Sequence, residues 1–176
     1  LKAIKSINPS VKVIKYRDRL AVSNAENIIS NYNIIADGSD NFETRFLVND
    51  VCYFLKKTLV TAAILRFEGQ ISTFNFKDKL SSCYRCLWPN SLAKGTIPTC
   101  AQAGVFGALA GNIGSMQSIE IIKEILQIGK SLNNFLVLYD ALSCEMRKVK
   151  LTKDPSCRLC GEKPTIVYKK IIVDKT

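Results

Sequence analysis

Hydrophobic and polar positions in the first third of the chain predict strands and helices in alternation. Residues 11–16 alternate between aliphatic and basic side chains in the manner of a strand, and a capping box at 23–26 predicts a short helix that ends near residue 30. Residues 33–37 form a short apolar run that ends in an acid, which is typical of a buried parallel strand. Residues 42–57 then carry apolar side chains at roughly helical spacing.

The rest of the chain contains further strands and one long helix. Four β-rich runs are predicted as strands, the last two as antiparallel neighbours, at 58–65, 69–76, 134–142 and 144–151. Residues 81–100 lack periodicity, which indicates an ordered knuckle followed by a mobile loop. Residues 101–126 predict a helix interrupted near its glycines, and residues 165–173 have a β-like composition. Because strand–helix–strand is followed by strand–strand pairs, the pattern predicts an α/β fold with a mixed sheet.

The absence of histidine narrows the possible chemistry most. Without an imidazole the chain has no Ser-His-Asp or Cys-His catalysis and no His-ligated zinc protease site. Its 25 lysines and arginines against 15 acids give a formal net charge of +10, which suits nucleic acid, an acidic protein or a polyphosphate as ligand. The nine glycines form neither G-x-G-x-x-G nor G-x-x-x-x-G-K-[ST], so these residues contain no recognisable phosphate-binding loop.

The cysteine content and the N-terminal sequence indicate the cellular compartment of the protein. Seven cysteines, four of them in two Cys-x-x-Cys pairs, indicate a reducing environment, since a disulfide scaffold is normally short, secreted and evenly counted. The sequence has no run of 18 apolar residues and no secretory signal, so we expect a cytoplasmic protein with no membrane association. The chain opens on Leu1 rather than Met, and we therefore expect a fragment or a processed product.

The two cysteine pairs predict a metal site. They are Cys83 with Cys86 and Cys157 with Cys160. A Cys-x-x-Cys turn presents two sulfur atoms about 2.3 Å from a shared ion, and two turns complete the closed tetrahedron that zinc prefers. We predict a structural Zn²⁺, with Arg85 and Arg158 inside the pairs offsetting the charge of the four thiolates. Two unrelated redox pairs or buried free cysteines are the alternatives.

The polar turn after residue 37 is a candidate ligand site. In open α/β sheets ligands bind at the carboxyl ends of strands, where a carboxylate such as Asp40 is well placed to hold Mg²⁺ beside phosphates. Asn41 could cap the following helix or contact a ligand, and Arg45 lies one helical turn further on. The alternative is an ordinary Asp/Asn helix cap with an exposed arginine.

Six motifs occur in an order that resembles the ThiF/MoeB/HesA family, the bacterial relatives of ubiquitin-activating enzymes. They are DGSDNFETR at 37–45, LRFEGQ at 65–70, CYRC at 83–86, TCAQAGV at 99–105, YDAL at 139–142 and CRLCG at 157–161. The resemblance implies a Rossmann-like mixed sheet with flanking helices and a four-cysteine structural zinc site. It implies that residues 1–161 are the C-terminal portion of an adenylyltransferase domain, with residues 162–176 as a tail or the start of a linker.

Members of this family adenylate the C-terminal glycine of a ubiquitin-like sulfur-carrier protein, using ATP and Mg²⁺, for sulfur transfer in molybdopterin or thiamine biosynthesis. The resemblance therefore implies that Asp40 binds Mg²⁺–ATP and is catalytic, with Asn41 and Arg45 as further cofactor-binding residues. Cys100 matches the cysteine that in some members takes the carrier's acyl group or takes part in sulfur transfer, and it is the second candidate catalytic residue. A carrier that ends in Gly-Gly and a homodimer are the implied partners, while Cys52 and Cys144 match no functional position and are expected to be core thiols.

The resemblance also predicts a limit on activity. The family's ATP site begins with a glycine-rich loop, a ribose-binding acid, an arginine and a lysine, which precede the region matched by these residues. We therefore expect that this polypeptide alone does not adenylate, or that it is a degenerate partner subunit if the gene begins here. The alternative function is a zinc-stapled nucleic-acid-binding module, but the basic residues are scattered and no recognition helix stands out, so we expect no nucleic-acid partner.

Overall fold

Five strands form one mixed sheet in the computed structural model, which describes residues 1–89 and 100–168. The strands are β1 (Ile34–Asp37), β2 (Thr58–Leu65), β3 (Glu68–Asn75), β4 (Phe135–Asp140) and β5 (Glu145–Lys150). The helices are α1 (Lys2–Ile7), α2 (Val22–Ile29), α3 (Phe42–Phe54), α4 (Tyr84–Leu87), α5 (Cys100–Ala103) and α6 (Gly107–Leu126). The strands lie side by side in chain order, with β1 and β2 parallel and every later pair antiparallel. The predicted mixed α/β fold is confirmed.

Local sequence explains how the first three strands connect. Parallel strands need a crossover, and α3 supplies it between β1 and β2. This helix starts where Asn41 Oδ1 accepts the backbone N–H of Thr44 at 2.9 Å, a side-chain cap. β2 and β3 are joined by a two-residue turn in which Arg66 has a φ of 52°, a conformation that usually favours glycine.

Helices cover both faces of the sheet and bury two apolar clusters. On one face α3 and α2 enclose a cluster that includes Phe46, Cys52 and Phe74. On the other face α6 places Leu109 and Ile113 against the middle of the sheet. Burial raises the pKa of the Cys52 thiol, so this cysteine is an unreactive core residue, as predicted.

Close packing of α6 on the sheet depends on Gly69 in β3. A Cβ added at Gly69 would lie 2.5 Å from Ile113 Cγ1 and 3.4 Å from Leu109 Cδ1. A side chain at this position would therefore push α6 away from β3. By contrast, a Cβ added at Gly107, Gly111 or Gly114 would meet no described atom within 4 Å.

The structure differs from the predicted elements in the N-terminal region. Residues 11–16 form no strand, because no described strand pairs with them and the side chains of Val11, Ile14 and Tyr16 are 42–52% exposed. The next helix, α2, is capped differently from the prediction: Asn24 Oδ1, rather than Glu26, accepts the N–H of Ala21 at 2.9 Å. Alternation over 11–16 failed as a strand signal because a strand needs a partner to pair with. The predicted short helix did form, with its cap at Ala21 rather than Ser23.

Later differences are smaller. The long helix is interrupted at Gly104, whose φ of 74° ends α5 before α6 begins, which confirms the predicted break. Cys144 was predicted to be a core thiol, and this is wrong: it is exposed in the turn between β4 and β5, with a φ of 58°. The loop predicted over 90–99 lies outside the described residues. So does 169–173 of the predicted β-like tail, and residues 165–168 form no strand.

A search of the described helices for one both long enough and apolar enough to span a bilayer found none.

We expect Gly69→Ala to destabilise the fold by about 1 to 3 kcal/mol, because the new methyl group overpacks the contact between β3 and α6. The measurement is the free energy of unfolding from urea titration. Gly111→Ala is the matched control, since the position is open and alanine favours helix by up to about 1 kcal/mol. Equal stability of the two variants would contradict the close contact.

Candidate functional site

The turn after β1 is held in place by Arg45 of α3. The guanidinium donates to the carbonyl oxygen of Ala62 at 2.9 Å and to the carbonyl oxygen of Ser39. It also lies 3.6 Å from Asp37 Oδ2, an ion pair whose side chains are only 9% and 4% exposed. Thr61 Oγ1 donates to the same carboxylate at 3.3 Å. Arg45 is therefore buried and fully engaged, unlike the exposed arginine of the alternative interpretation.

Asp40 and Asn41 stand at the carboxyl end of β1, where the sequence placed them. Asn41 caps α3, as the alternative interpretation expected, and its Nδ2 also donates to Asp40 Oδ1 at 3.2 Å. The Asp40 side chain is exposed. The arrangement leaves an oriented carboxylate free to bind a cation.

Asp40 borders a cavity of about 220 Å³ with one polar and one apolar wall. The polar wall is formed by Asp40, Asn41 and Arg45, and the apolar wall includes Tyr84 and Trp88. Burial raises the pKa of Tyr84 to about 12, so its phenol stays neutral at physiological pH. The structure thus brings the three predicted cofactor-binding residues together in one cavity.

A second cavity, of about 160 Å³, borders Asp40 from the α6 side of the sheet. Gln117 lines it and donates from Nε2 to the carbonyl oxygens of Asp37 and Val60, both at 3.0 Å. Gln117 therefore joins the end of β1 to the adjacent part of β2, from the face opposite Arg45. Gln117 could not be predicted as a site residue from the sequence, because a glutamine within a long helix carries no local signal of such a contact.

The four predicted metal ligands converge. The Sγ atoms of Cys83, Cys86, Cys157 and Cys160 all lie within 4.8 Å of one another. Measured sulfur–sulfur distances are 3.8 Å between Cys83 and Cys86, 3.6 Å between Cys83 and Cys157, and 3.3 Å between Cys86 and Cys160. A tetrahedron with metal–sulfur bonds of about 2.3 Å has edges of about 3.8 Å, so the cluster fits a metal ion with little adjustment. The six described cysteines are free of disulfides.

Two buried polar residues of α3 hold the first cysteine turn. Asn49 Oδ1 accepts the backbone N–H of Tyr84 at 2.9 Å, and Asn49 Nδ2 donates to Asp50 Oδ1 at 3.0 Å. Arg85 binds the Asp50 carboxylate with two hydrogen bonds, 2.8 Å from Nε and 2.7 Å from Nη2. Burial raises the pKa of Asp50, and the Arg85 guanidinium opposes that shift. Arg85 is therefore paired with Asp50, rather than set aside to offset the thiolates as predicted.

Asn49 and Asp50 were not among the residues predicted from the sequence. A signal was present, because Asn49 lies three residues after Phe46 and seven after Phe42, on the apolar side of the predicted helix. A buried amide at such a position needs hydrogen-bond partners. The identity of those partners depends on folding across 35 residues of chain.

Cys100 is the first residue of α5, and its side chain lies outside the described part of the structure. The connection from α5 to α6 is joined to the turn between β2 and β3. There Arg66 N–H donates to the carbonyl oxygen of Gly104 at 3.2 Å, and Phe106 N–H donates to that of Arg66 at 3.1 Å. The role of Cys100 stays a prediction.

Comparisons with known proteins agree with the motifs. A model of the ThiF family matches residues 1–159. The sulfur carrier protein adenylyltransferase of Thermus thermophilus is 43% identical over 167 residues, which are 93% of this chain and 62% of that protein. The SAMP-activating enzyme E1 of Haloferax volcanii is 40% identical over 159 residues, 90% of this chain and 58% of the relative. Adenylyltransferase and sulfurtransferase MOCS3 of Bos taurus is 36% identical over 165 residues, which are 93% of this chain and 36% of that protein.

A solved structure shares the fold. The crystal structure of E. coli MccB superposes with a TM-score of 0.75 over 95% of this chain and 50% of that chain, at 13% sequence identity. This likeness supports the mixed α/β architecture alone. The chain spans less than two thirds of the length of each of these relatives.

We expect Arg45→Met to destabilise the protein by about 3 kcal/mol, because it leaves the Asp37 carboxylate buried without its partner. Urea unfolding measures the change. The matched control is Arg19→Met, which removes an ion pair with Glu43 whose side chains are 79% and 76% exposed and should cost little. If both variants unfold at the same urea concentration, Arg45 does not anchor the turn.

Proposed function

Because the chain belongs to the ThiF family, we propose that it forms part of an adenylyltransferase that activates the C-terminal glycine of a ubiquitin-like sulfur-carrier protein with ATP. The names of its relatives, a sulfur carrier protein adenylyltransferase and a SAMP-activating enzyme E1, support this class of reaction. The sulfur would serve molybdopterin or thiamine biosynthesis, as the resemblance implies.

The observation that carries the proposal is the oriented carboxylate of Asp40 at the carboxyl end of β1. It lies where open α/β sheets bind ligands, at the border of the cavity that Asn41 and Arg45 also line. Carboxylate oxygens are the ligands that Mg²⁺ accepts from proteins beside substrate phosphates. A Mg²⁺ ion at this carboxylate would neutralise charge that develops on the phosphates.

The residues of this chain would act by placement rather than by proton transfer. Asp40 would hold the cation, Asn41 would keep that carboxylate oriented through its 3.2 Å hydrogen bond, and Arg45 would fix the turn that carries both. In the reaction, a carboxylate oxygen of the carrier's last glycine attacks the α-phosphorus of ATP. An acyl–adenylate forms and pyrophosphate leaves. No proton is transferred in this step, which fits a chain without histidine.

The four-cysteine cluster would bind a structural Zn²⁺. Four thiolates at these separations match the donor set and the closed tetrahedron that zinc prefers, with no position left for substrate. The ion would join the segment after β3 to the segment after β5, which are 74 residues apart in the chain. The zinc would therefore serve the fold rather than the chemistry.

The remaining assignments are extensions of the same proposal. Cys100 would receive the carrier's acyl group or take part in sulfur transfer after adenylation. The partner would be a small carrier protein ending in Gly-Gly, and the complete protein would be a cytoplasmic homodimer. We favour this function over nucleic-acid binding because the family match covers residues 1–159, and because the cations of Arg45 and Arg85 are both engaged inside the protein.

Exchange of radiolabelled pyrophosphate into ATP, in the presence of a Gly-Gly carrier, tests the proposal. We expect no exchange from the 176 residues alone, because they contain no glycine-rich phosphate loop. We expect exchange from a chimera in which the part of the Thermus thermophilus relative that precedes its match to this chain is placed before Leu1, since the family resemblance implies a glycine-rich loop there. In the chimera Asp40→Asn should lower the rate roughly 100-fold, since it removes the carboxylate proposed to hold Mg²⁺ at the phosphates.

The control for this assay is Asp18→Asn in the same chimera, an exposed acid outside both cavities that should exchange like the parent. Turnover by the 176 residues alone would overturn the expected dependence on the loop. Unchanged exchange in Asp40→Asn would remove Asp40 from the mechanism.

Metal analysis of the purified protein tests the cluster. We expect about one equivalent of zinc per chain, bound through four thiolates. Cys157→Ser should lower the zinc content well below one equivalent, whereas Cys144→Ser should leave it unchanged because Cys144 is exposed and outside the cluster. Less than half an equivalent in the unmodified protein would count against a structural zinc.

A further inference from the structure

The middle of α3, from Phe46 to Asp50, contacts the first cysteine turn. In addition to the hydrogen bonds from Asn49 and Asp50, the rings of Phe46 and Tyr84 meet edge to face with centroids 5.5 Å apart. The Arg85 guanidinium carbon lies 4.5 Å from the centroid of the Phe46 ring. The turn is therefore attached to α3 by polar, aromatic and charged contacts together.

The same turn forms the apolar wall of the cavity beside Asp40. Tyr84 lies between the two cysteines of the turn, and Trp88 lies two residues after Cys86; both line the cavity. Phe42, in the first turn of α3, meets the Trp88 indole edge to face at 5.7 Å. A shift of the turn relative to α3 would therefore move this wall.

The second cysteine turn is held by its own loop rather than by α3. Cys157 N–H donates to the carbonyl oxygen of Asp154 at 3.0 Å, and Gly161 N–H donates to that of Cys157 at 2.9 Å. In addition to the sulfur–sulfur contacts of the cluster, the N–H of Asp154 lies 3.4 Å from Cys86 Sγ and joins the two turns.

Just before Cys83, Ser82 N–H also donates to Asn134 Oδ1 at 2.7 Å, from the segment that precedes β4. This bond holds the start of the first turn, whereas the contacts to Tyr84 and Arg85 within it come from α3.

We propose that Asn49 and Asp50 are positioning residues that set two structures at once: the first two ligands of the metal site and the Tyr84–Trp88 wall of the Asp40 cavity. This goes beyond adenylation and rests only on the metal proposed at the four cysteines. Asn49 fixes the start of α4 through the N–H of Tyr84. Asp50 fixes Arg85 with a bidentate ion pair, which the ammonium group of a lysine cannot reproduce.

Metal occupancy and the cavity wall are coupled through these contacts. When the pair between Asp50 and Arg85 is broken, the guanidinium remains beside the sulfur cluster without its carboxylate. The turn must then move to solvate it. That movement separates Cys83 and Cys86 from the second turn and opens the contact between Trp88 and Phe42. Residues that orient metal ligands from outside the coordination sphere typically change metal affinity 10- to 100-fold when replaced.

The test follows transfer of zinc from the 176-residue protein, loaded with one equivalent, to a coloured chelator under native conditions. We expect Asp50→Asn to release zinc about 10 to 100 times faster than the unmodified protein. Trp88 is the only tryptophan in the sequence, so indole emission reports on the wall alone. Its maximum should move to longer wavelength when zinc leaves the unmodified protein, and should already be shifted in zinc-loaded Asp50→Asn.

The matched control is Glu120→Gln, which breaks another buried ion pair, with Lys123 on α6, far from the cysteines along the chain. We expect it to lower the stability to urea while changing zinc release by no more than about twofold, since distant sites act independently. If Asp50→Asn does not fold, Arg85→Lys gives the same test, because lysine keeps the positive charge but cannot make the bidentate pair with Asp50.

Zinc release at the unmodified rate in the Asp50 or Arg85 variant overturns the inference. So does equal acceleration in Glu120→Gln, which would make the effect one of general stability. An unmodified protein that binds no zinc also overturns it. Because neither readout uses ATP or a carrier, failure of the proposed adenylation leaves this result unaffected.

Discussion

Arg45 donates hydrogen bonds to carbonyl groups in two separate parts of the chain, Ser39 in the turn after β1 and Ala62 in β2, while its charge faces Asp37. A buried guanidinium is tolerated only where its donors and its charge are both satisfied, and here the end of β1, the turn after it and the middle of β2 supply the partners. The position of Asp40 follows from this, because the turn that carries it cannot move without breaking the ion pair. The direction of α3 follows as well, since Arg45 belongs to its second turn.

The helix that starts from this anchor connects two kinds of chemistry. The residues just before it, Asp40 and the cap Asn41, line the cavity, and its later turns hold the cysteine turn through Asn49 and Asp50. The two candidate sites are therefore parts of one rigid arrangement rather than independent features. The four-cysteine cluster and the carboxyl end of β1 are both attached to α3.

Much of the fold could be predicted from the sequence, because β1 to β5, α3 and the break before α6 all follow from local patterns of apolar residues and glycine. The four-cysteine cluster was also predictable, since Cys-x-x-Cys spacing fixes sulfur geometry within each turn. What failed depended on distant partners: residues 11–16 alternate like a strand but have no described neighbour to pair with. The burial of Arg45 and the pairing of Asp50 with Arg85 depend on strand register and on helix placement, which no short window contains.

The two edges of the sheet differ in how readily a further strand could pair with them. β5 presents Arg147, Lys148 and Lys150 along its edge, and cations there discourage another strand from pairing. β1 pairs only with β2 among the described strands and carries an apolar sequence up to Asp37. Among the described strands, β1 is therefore the edge at which a further strand could pair. A strand added in parallel beside β1 would end next to Asp40, so the loop that follows it would form a new border of the ligand cavity.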